Sequence, residues 1–158
     1  MKLNTIALVA HDSRKKELLE WAEYNKKMLS EYNLVATGTT GKILEDMPFE
    51  HQNYTGLKVT KLLSGPLGGD QQIGAMIAEG KIDMLIFFCD NLAVQGHQND
   101  VSALSRLASL YNIPFATNRT TADLILTSTL LNNDEYAVKT PNFSSYINRD
   151  AMKQNKIS

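Results

Sequence analysis

The chain has 158 residues, a hydrophobic fraction of 43% and a formal net charge of -1. That length and apolar content suit one globular domain, residues 1–158, with enough material for a full core. No basic stretch is interleaved with aromatics, no polybasic anchor stands out and no apolar run reaches the length of a bilayer span, so neither nucleic acid nor a membrane is an expected partner.

In chain order, Thr5 to Ala10 reads as a first strand, too brief for a signal sequence, and the expected location is the cytoplasm. Leu18, Leu19, Ala22, Met28, Leu29 and Tyr32, three and four residues apart, mark the core stripe of the first helix. Leu34 to Thr37 is the second strand. Glu45 to Gly56, with Pro48, His51, Asn53 and Tyr54, has no firm period and reads as a loop or a frayed helix end. Val59 to Leu63 is the third strand, and Ile73 to Ala78 a helix closed by Gly80. Met84-Leu85-Ile86-Phe87-Phe88 is apolar throughout, as a central parallel strand should be. Cys89 follows it; one cysteine leaves no internal disulfide and no thiolate cluster, which suits a reducing compartment. Val101, Leu104, Leu107, Ala108 and Tyr111 mark a further helix, and Phe115 to Thr117 the fifth strand. Pro141 to Ile147, with Phe143 and Tyr146, opens a last helix that packs on the domain or on a neighbouring subunit, and Lys153 to Ser158 should fray. Strands that alternate with helices predict a three-layer α/β/α fold around a five-stranded parallel sheet, Rossmann-like in plan.

In such sheets ligands bind beyond the carboxyl ends of the strands. Every strand here is followed by polar residues: His11, Asp12 and Lys15; Gly38-Thr39-Thr40-Gly41; Ser64 to Gln72; Asp90, His97 and Asp100; and Asn118-Arg119-Thr120-Thr121. The hydroxyls and backbone donors of Gly38 to Gly41 and of Ser64-Gly65, with Lys15 as a cation, suit a phosphomonoester. They form no nucleotide loop, because Lys42 is followed by Ile43 and Ala36 stands where the first glycine belongs. Asp70 repels a phosphate, so it is either the N-cap of the following helix or a base beside a bound anion; the residue preferences of N-caps favour the cap. Asp70, His97 and Asp100 are placed to act on a short carbon chain, His97 giving a hydrogen bond to a developing enediolate oxygen. His51 reads as a surface residue, and His11-Asp12 suits either a pocket or a loop closure. His11, Asp12, Asp70, Asp90, His97 and Asp100 include potential metal ligands, but no recognised metal spacing joins them, so no metal is expected. Neither Cys89 nor Ser64 has the surroundings of a nucleophile.

The segments Ile6-Ala7-Leu8-Val9-Ala10-His11-Asp12, Ala36-Thr37-Gly38-Thr39-Thr40-Gly41, Leu63-Ser64-Gly65-Pro66-Leu67-Gly68-Gly69-Asp70-Gln71-Gln72, Glu79-Gly80-Lys81-Ile82-Asp83 and Asn112-Ile113-Pro114 closely resemble the methylglyoxal synthase family. The resemblance spans about Ile6 to Thr127 outside the Glu45 to Gly56 region, and Gly68-Gly69-Asp70-Gln71-Gln72 is its most specific motif. It implies a cofactor-free, phosphate-eliminating carbon-oxygen lyase, a homohexamer often inhibited by phosphate, that converts dihydroxyacetone phosphate to methylglyoxal and inorganic phosphate. By that resemblance Asp70 is the base, His97 binds the carbonyl side and Asp100 assists proton handling. Lys15, Thr37, Gly38, Thr39, Thr40, Ser64 and Gly65 hold the phosphate, His11 and Asp12 line the pocket, and Arg149 contributes between subunits. The chain departs from the family where Trp-Asp-Pro is replaced by Cys89-Asp90-Asn91 and Pro-His-Asp-Pro-Asp by Gly96-His97-Gln98-Asn99-Asp100, and its Glu45 to Gly56 connection is longer than in most members. Two lost prolines and a gained glycine predict a less rigid loop and reduced activity. The rival readings are a non-catalytic, regulatory phosphometabolite-binding domain, against which the joint presence of Asp70, His97 and Asp100 argues, and a phosphosugar isomerase or aldolase using the same proton abstraction.

Overall fold

Runs with no polar face occupy the middle of the sheet in the computed structural model, which describes residues 3–48, 56–93 and 98–154. The strands are β1 Thr5–Ala10, β2 Asn33–Ala36, β3 Lys58–Lys61, β4 Met84–Phe88 and β5 Phe115–Ala116. The helices are α1 Lys15–Tyr24, α2 Lys26–Leu29, α3 Gly38–Glu45, α4 Gly69–Ala78, α5 Gln98–Leu110, α6 Arg119–Leu126 and α7 Ser144–Gln154. The sheet runs β3-β2-β1-β4-β5, every neighbouring pair parallel. All five residues of β4 are buried, whereas β3 at the edge is largely exposed.

Alternation along the strands divides the core between the two faces. Ile6, Leu8, Leu34, Met84, Ile86 and Phe88 point to one side, where Leu18 and Trp21 of α1, Leu44 of α3 and Leu126 of α6 cover them. Ala7, Val9, Val35, Leu85 and Phe87 point to the other, against Ile73 and Ile77 of α4 and Leu104 of α5. Each large side chain so enclosed contributes about 1.5–3 kcal/mol relative to exposure. The buried Trp21 indole donates to Asp123 Oδ1 at 2.7 Å, tying α1 to α6.

Element ends differ from the sequence expectation where local polar chemistry intervenes. The stripe from Leu18 to Tyr32 is broken at Asn25, a buried residue whose amide donates to the Trp21 carbonyl at 3.0 Å, so that two helices replace one. The expected strand at Leu34 to Thr37 begins and ends one residue earlier, because Thr37 is already the N-cap position of α3. At Gly80 (φ 71°) the chain turns out of α4, with Lys81 N–H donating to the Met76 carbonyl at 2.8 Å. Of the Glu45 to Gly56 region, Glu45 closes α3, and residues 49–55 lie outside the described ones.

The chain winds outward from β1 to β3, then crosses to β4 on the opposite side of β1. Strand order therefore reverses between β1 and β4, the place where the helices leave in opposite directions and a crevice opens. The pairing of Ala10 with Phe88 puts the loop after β1 beside the loop after β4.

Candidate active site

Each residue of Gly68-Gly69-Asp70-Gln71-Gln72 has a distinct local task. Gly68 takes a left-handed conformation (φ 107°), favoured by the absence of a side chain, and is the N-cap of α4. Gly69 donates its N–H to the Ser64 carbonyl at 2.9 Å, and its Cα faces the strand end so closely that a Cβ would meet the Leu63 oxygen at 2.0 Å. Asp70 therefore stands in the first turn and is not the cap, contrary to the reading that N-cap preferences favour; the turn into the helix is already made by Gly68. Gln72 Oε1 accepts from Leu63 N–H at 2.9 Å and holds the helix to β3, while Gln71 Nε2 donates to Asp100 Oδ1 of α5 at 3.4 Å.

The Asp70 carboxylate is only 7% exposed and lies against the backbone of Gly65, whose Cβ, if present, would be 3.2 Å from Oδ2. It opens on a cleft of about 400 Å3 at the strand reversal, lined by His11, Asp12, Ser13 and Lys15 after β1, Thr37 and Gly38 after β2, Ser64 and Gly65 after β3, and Asp90 after β4. Thr37 and Ser64 precede helical turns, but neither side chain makes a capping bond, and Gly38 (φ 58°) donates its N–H to the Leu63 carbonyl at 3.2 Å, joining two of these loops. Helical N–H groups at the starts of α3 and of the turn Gly65–Leu67 favour an anion here. Lys15 supplies a cation, paired with Asp12 at 2.8 Å.

On the opposite wall His11 is oriented on two sides. Its ring meets Phe87 edge to face at 5.1 Å, and its Nδ1 accepts from Asp90 N–H at 2.8 Å. Asp90 Oδ2 accepts from Ser13 Oγ at 2.6 Å, and its Oδ1 from the N–H groups of Leu92 and Ala93. Led by the Ser13 bond, these contacts hold the Asp90 carboxyl below its ordinary range. Nearby, burial raises the Cys89 thiol to about 11, against a smaller opposing pull from Arg14, so the thiol stays protonated at neutral pH.

A family model described as an MGS-like domain matches residues 17–117. A methylglyoxal synthase of Maridesulfovibrio salexigens is 51% identical over 154 residues, covering 94% of this chain and 98% of that protein. This chain belongs to the methylglyoxal synthase family. Another methylglyoxal synthase, from Proteus mirabilis, is 53% identical over 142 residues, with 90% of this chain and 88% of that protein covered. The crystal structure of methylglyoxal synthase from Elizabethkingia anophelis NUHP1 superposes with a TM-score of 0.79 at 44% identity, covering 92% of this chain and 91% of that one.

Of the residues expected from the methylglyoxal synthase resemblance, the cleft gathers His11, Asp12, Lys15, Thr37, Gly38, Ser64, Gly65 and Asp70. Thr39 and Thr40 sit in the first turn of α3, the former exposed and the latter buried, and neither lines the cleft. Asp100 is at the start of α5, reaching Gln71. Arg149 is exposed on α7, its guanidinium 5.1 Å above the Tyr146 ring. His97 lies outside the described residues. The loop after β5 does not line the cleft: β5 is one strand beyond the reversal, and its Asn118 caps α6 by accepting from Thr121 N–H at 2.9 Å. Ser13 is the polar lining residue that sequence reasoning passed over, and Asp90 was named in the polar cluster after β4 and as a potential metal ligand but given no role in the pocket. Among the described residues no three of His, Cys, Asp and Glu gather as a metal site would require.

Proposed function

We propose that the cleft converts dihydroxyacetone phosphate to methylglyoxal and inorganic phosphate, with Asp70 as the base. The observation that carries this reading is a nearly enclosed carboxylate beside a Ser, Thr and glycine wall suited to a phosphate. The phosphate sits on Ser64, Gly65, Thr37 and Gly38, with Lys15 as counter-charge, and the short carbon chain lies towards Asp70. His11 and Asp12 close the pocket. Asp70 takes a proton from C3, and the electron pair moves into an enediolate whose oxygen accepts a hydrogen bond from His97. If the C–O bond to phosphate stands out of the enediolate plane, that pair expels phosphate; in the plane, overlap is lost and isomerisation results. The pocket thus selects the product through one torsion. Asp100, bonded to Gln71 next to the base, assists proton handling. The reaction is a lyase step in which the protein's own acids and bases suffice, and released phosphate is an inhibitor competing for the same wall.

In this reading the protein works in the cytoplasm as a homohexamer, and Arg149 reaches a neighbouring subunit. Exposed Leu67, Leu92, Leu124 and Ile147 support burial against further copies, and no helix among the described residues is long and apolar enough to cross a membrane.

The test is to incubate the purified protein with dihydroxyacetone phosphate and measure methylglyoxal and phosphate, with and without a chelator. Equal release of both, insensitive to chelation, is expected; no release refutes the reading, and chelator sensitivity returns a metal to it. Asp70→Asn keeps the shape and should lower kcat about 100-fold or more while inorganic phosphate still binds. Substantial turnover in that variant removes Asp70 as the base.

A further inference from the structure

The role of Ser13 follows from what it holds. A 2.6 Å bond from its hydroxyl to Asp90 Oδ2 is short, as expected for a donor on a carboxylate. The other carboxylate oxygen is engaged by Leu92 and Ala93 N–H at 2.9 and 3.1 Å, so the turn after β4 is tied at both oxygens. Asp90 then directs its own N–H at His11 Nδ1. A ring nitrogen that accepts a hydrogen bond carries no proton, so a neutral His11 keeps its proton on Nε2. Ser13 and Asp90 are 77 residues apart in sequence and meet because β1 and β4 are neighbours.

We infer that Ser13 is a positioning residue for the reaction proposed above: by holding Asp90 it keeps His11 Nδ1 as an acceptor, with the ring proton on Nε2, in the cleft shared with Asp70 and Ser64. With the proton on Nδ1 instead, that N–H would meet the Asp90 N–H head on, and the ring would have to leave its place against Phe87 in the cleft wall. Among the described residues, Asp12, Lys15, Asp70 and Asp90 are the charged groups lining the same cleft.

The test is imidazole 15N NMR on the full chain, wild type, Ser13→Ala and Ser13→Thr, with the His11 signals assigned by their loss in His11→Gln. Ser13 is exposed and outside the core, so its removal leaves the fold in place. The wild type should show only the Nε2-protonated tautomer. Ser13→Ala should show a mixture and lose about tenfold in kcat, with KM changed by less than about twofold, and Ser13→Thr should restore both. An unchanged tautomer in Ser13→Ala overturns the inference, as does a mixture without loss of kcat. A wild-type protein that releases no methylglyoxal refutes the reaction, and the spectra alone then decide whether Ser13 sets the tautomer.

Discussion

Adding one methyl group at Gly65 should separate the placement of the Asp70 carboxylate, the proposed base, from the integrity of the fold. A Cβ at this position would stand 3.2 Å from Asp70 Oδ2 and 3.6 Å from both Cγ and Oδ1, so the carboxylate must yield by a few tenths of an ångström. The backbone there is not left-handed, and the nearest obstacle is a side-chain end instead of a main chain, so Gly65→Ala should fold. Its stability cost should be at most about 1 kcal/mol, which for a chain of this size lowers Tm by about 2–4 °C. Catalysis is less forgiving: a misplacement of about 1 Å costs on the order of 100-fold, so a few tenths, plus a methyl beside the proposed phosphate wall, should lower kcat/KM by roughly tenfold. Steady-state methylglyoxal release beside thermal unfolding by circular dichroism reads both quantities. Wild-type kcat/KM in a folded Gly65→Ala protein would refute the view that the Asp70 carboxylate must rest against this backbone.

Gly69→Ala should behave in the opposite way, because its Cβ would fall 2.0 Å from the Leu63 oxygen and neither backbone can move alone; a loss of about 3 kcal/mol or more in urea unfolding is expected, and a native midpoint would contradict the contact. Asp123→Ala leaves the Trp21 indole N–H without its acceptor in the core, which should cost about 1–3 kcal/mol in the same experiment, and Asp123→Asn, which keeps an oxygen, should cost less. Cys89, raised to about 11 by burial, should be alkylated by iodoacetamide at pH 8 far more slowly in the native protein than in urea; equal rates would show the thiol to be accessible.

The sheet was legible because β4 is apolar without interruption and the other apolar runs alternate with helical stripes. What escaped was local. Asn25 interrupts a stripe whose spacing stays helical across it, because the break depends on a side-chain amide that bonds its own helix. The capping of α4 was misread because Asp is a frequent N-cap and the left-handed turn at Gly68 leaves that position occupied. The cleft residues Gly38, Ser64 and Gly65 were picked out by the rule that ligands lie beyond strand ends, Thr37 only by the family resemblance, and the same rule overreached at β5, which stands too far along the sheet. Ser13 left no mark in the sequence, since a serine in a polar loop is ordinary and its partner is brought to it by strand pairing.

The edge position of β3 bears on when the site exists at all. Ser64 and Gly65 follow this largely exposed strand, and the Leu63 that joins them to it is fastened by its carbonyl to Gly38 and by its N–H to Gln72. Edge strands open at lower free energy than central ones, so fraying of β3 should disassemble the proposed phosphate wall while β1 and β4, with His11 and Asp90, remain intact. Phosphate that bridges the loops would oppose that opening, making occupancy of the cleft and hydrogen-exchange protection of the β3 amides two readings of one equilibrium.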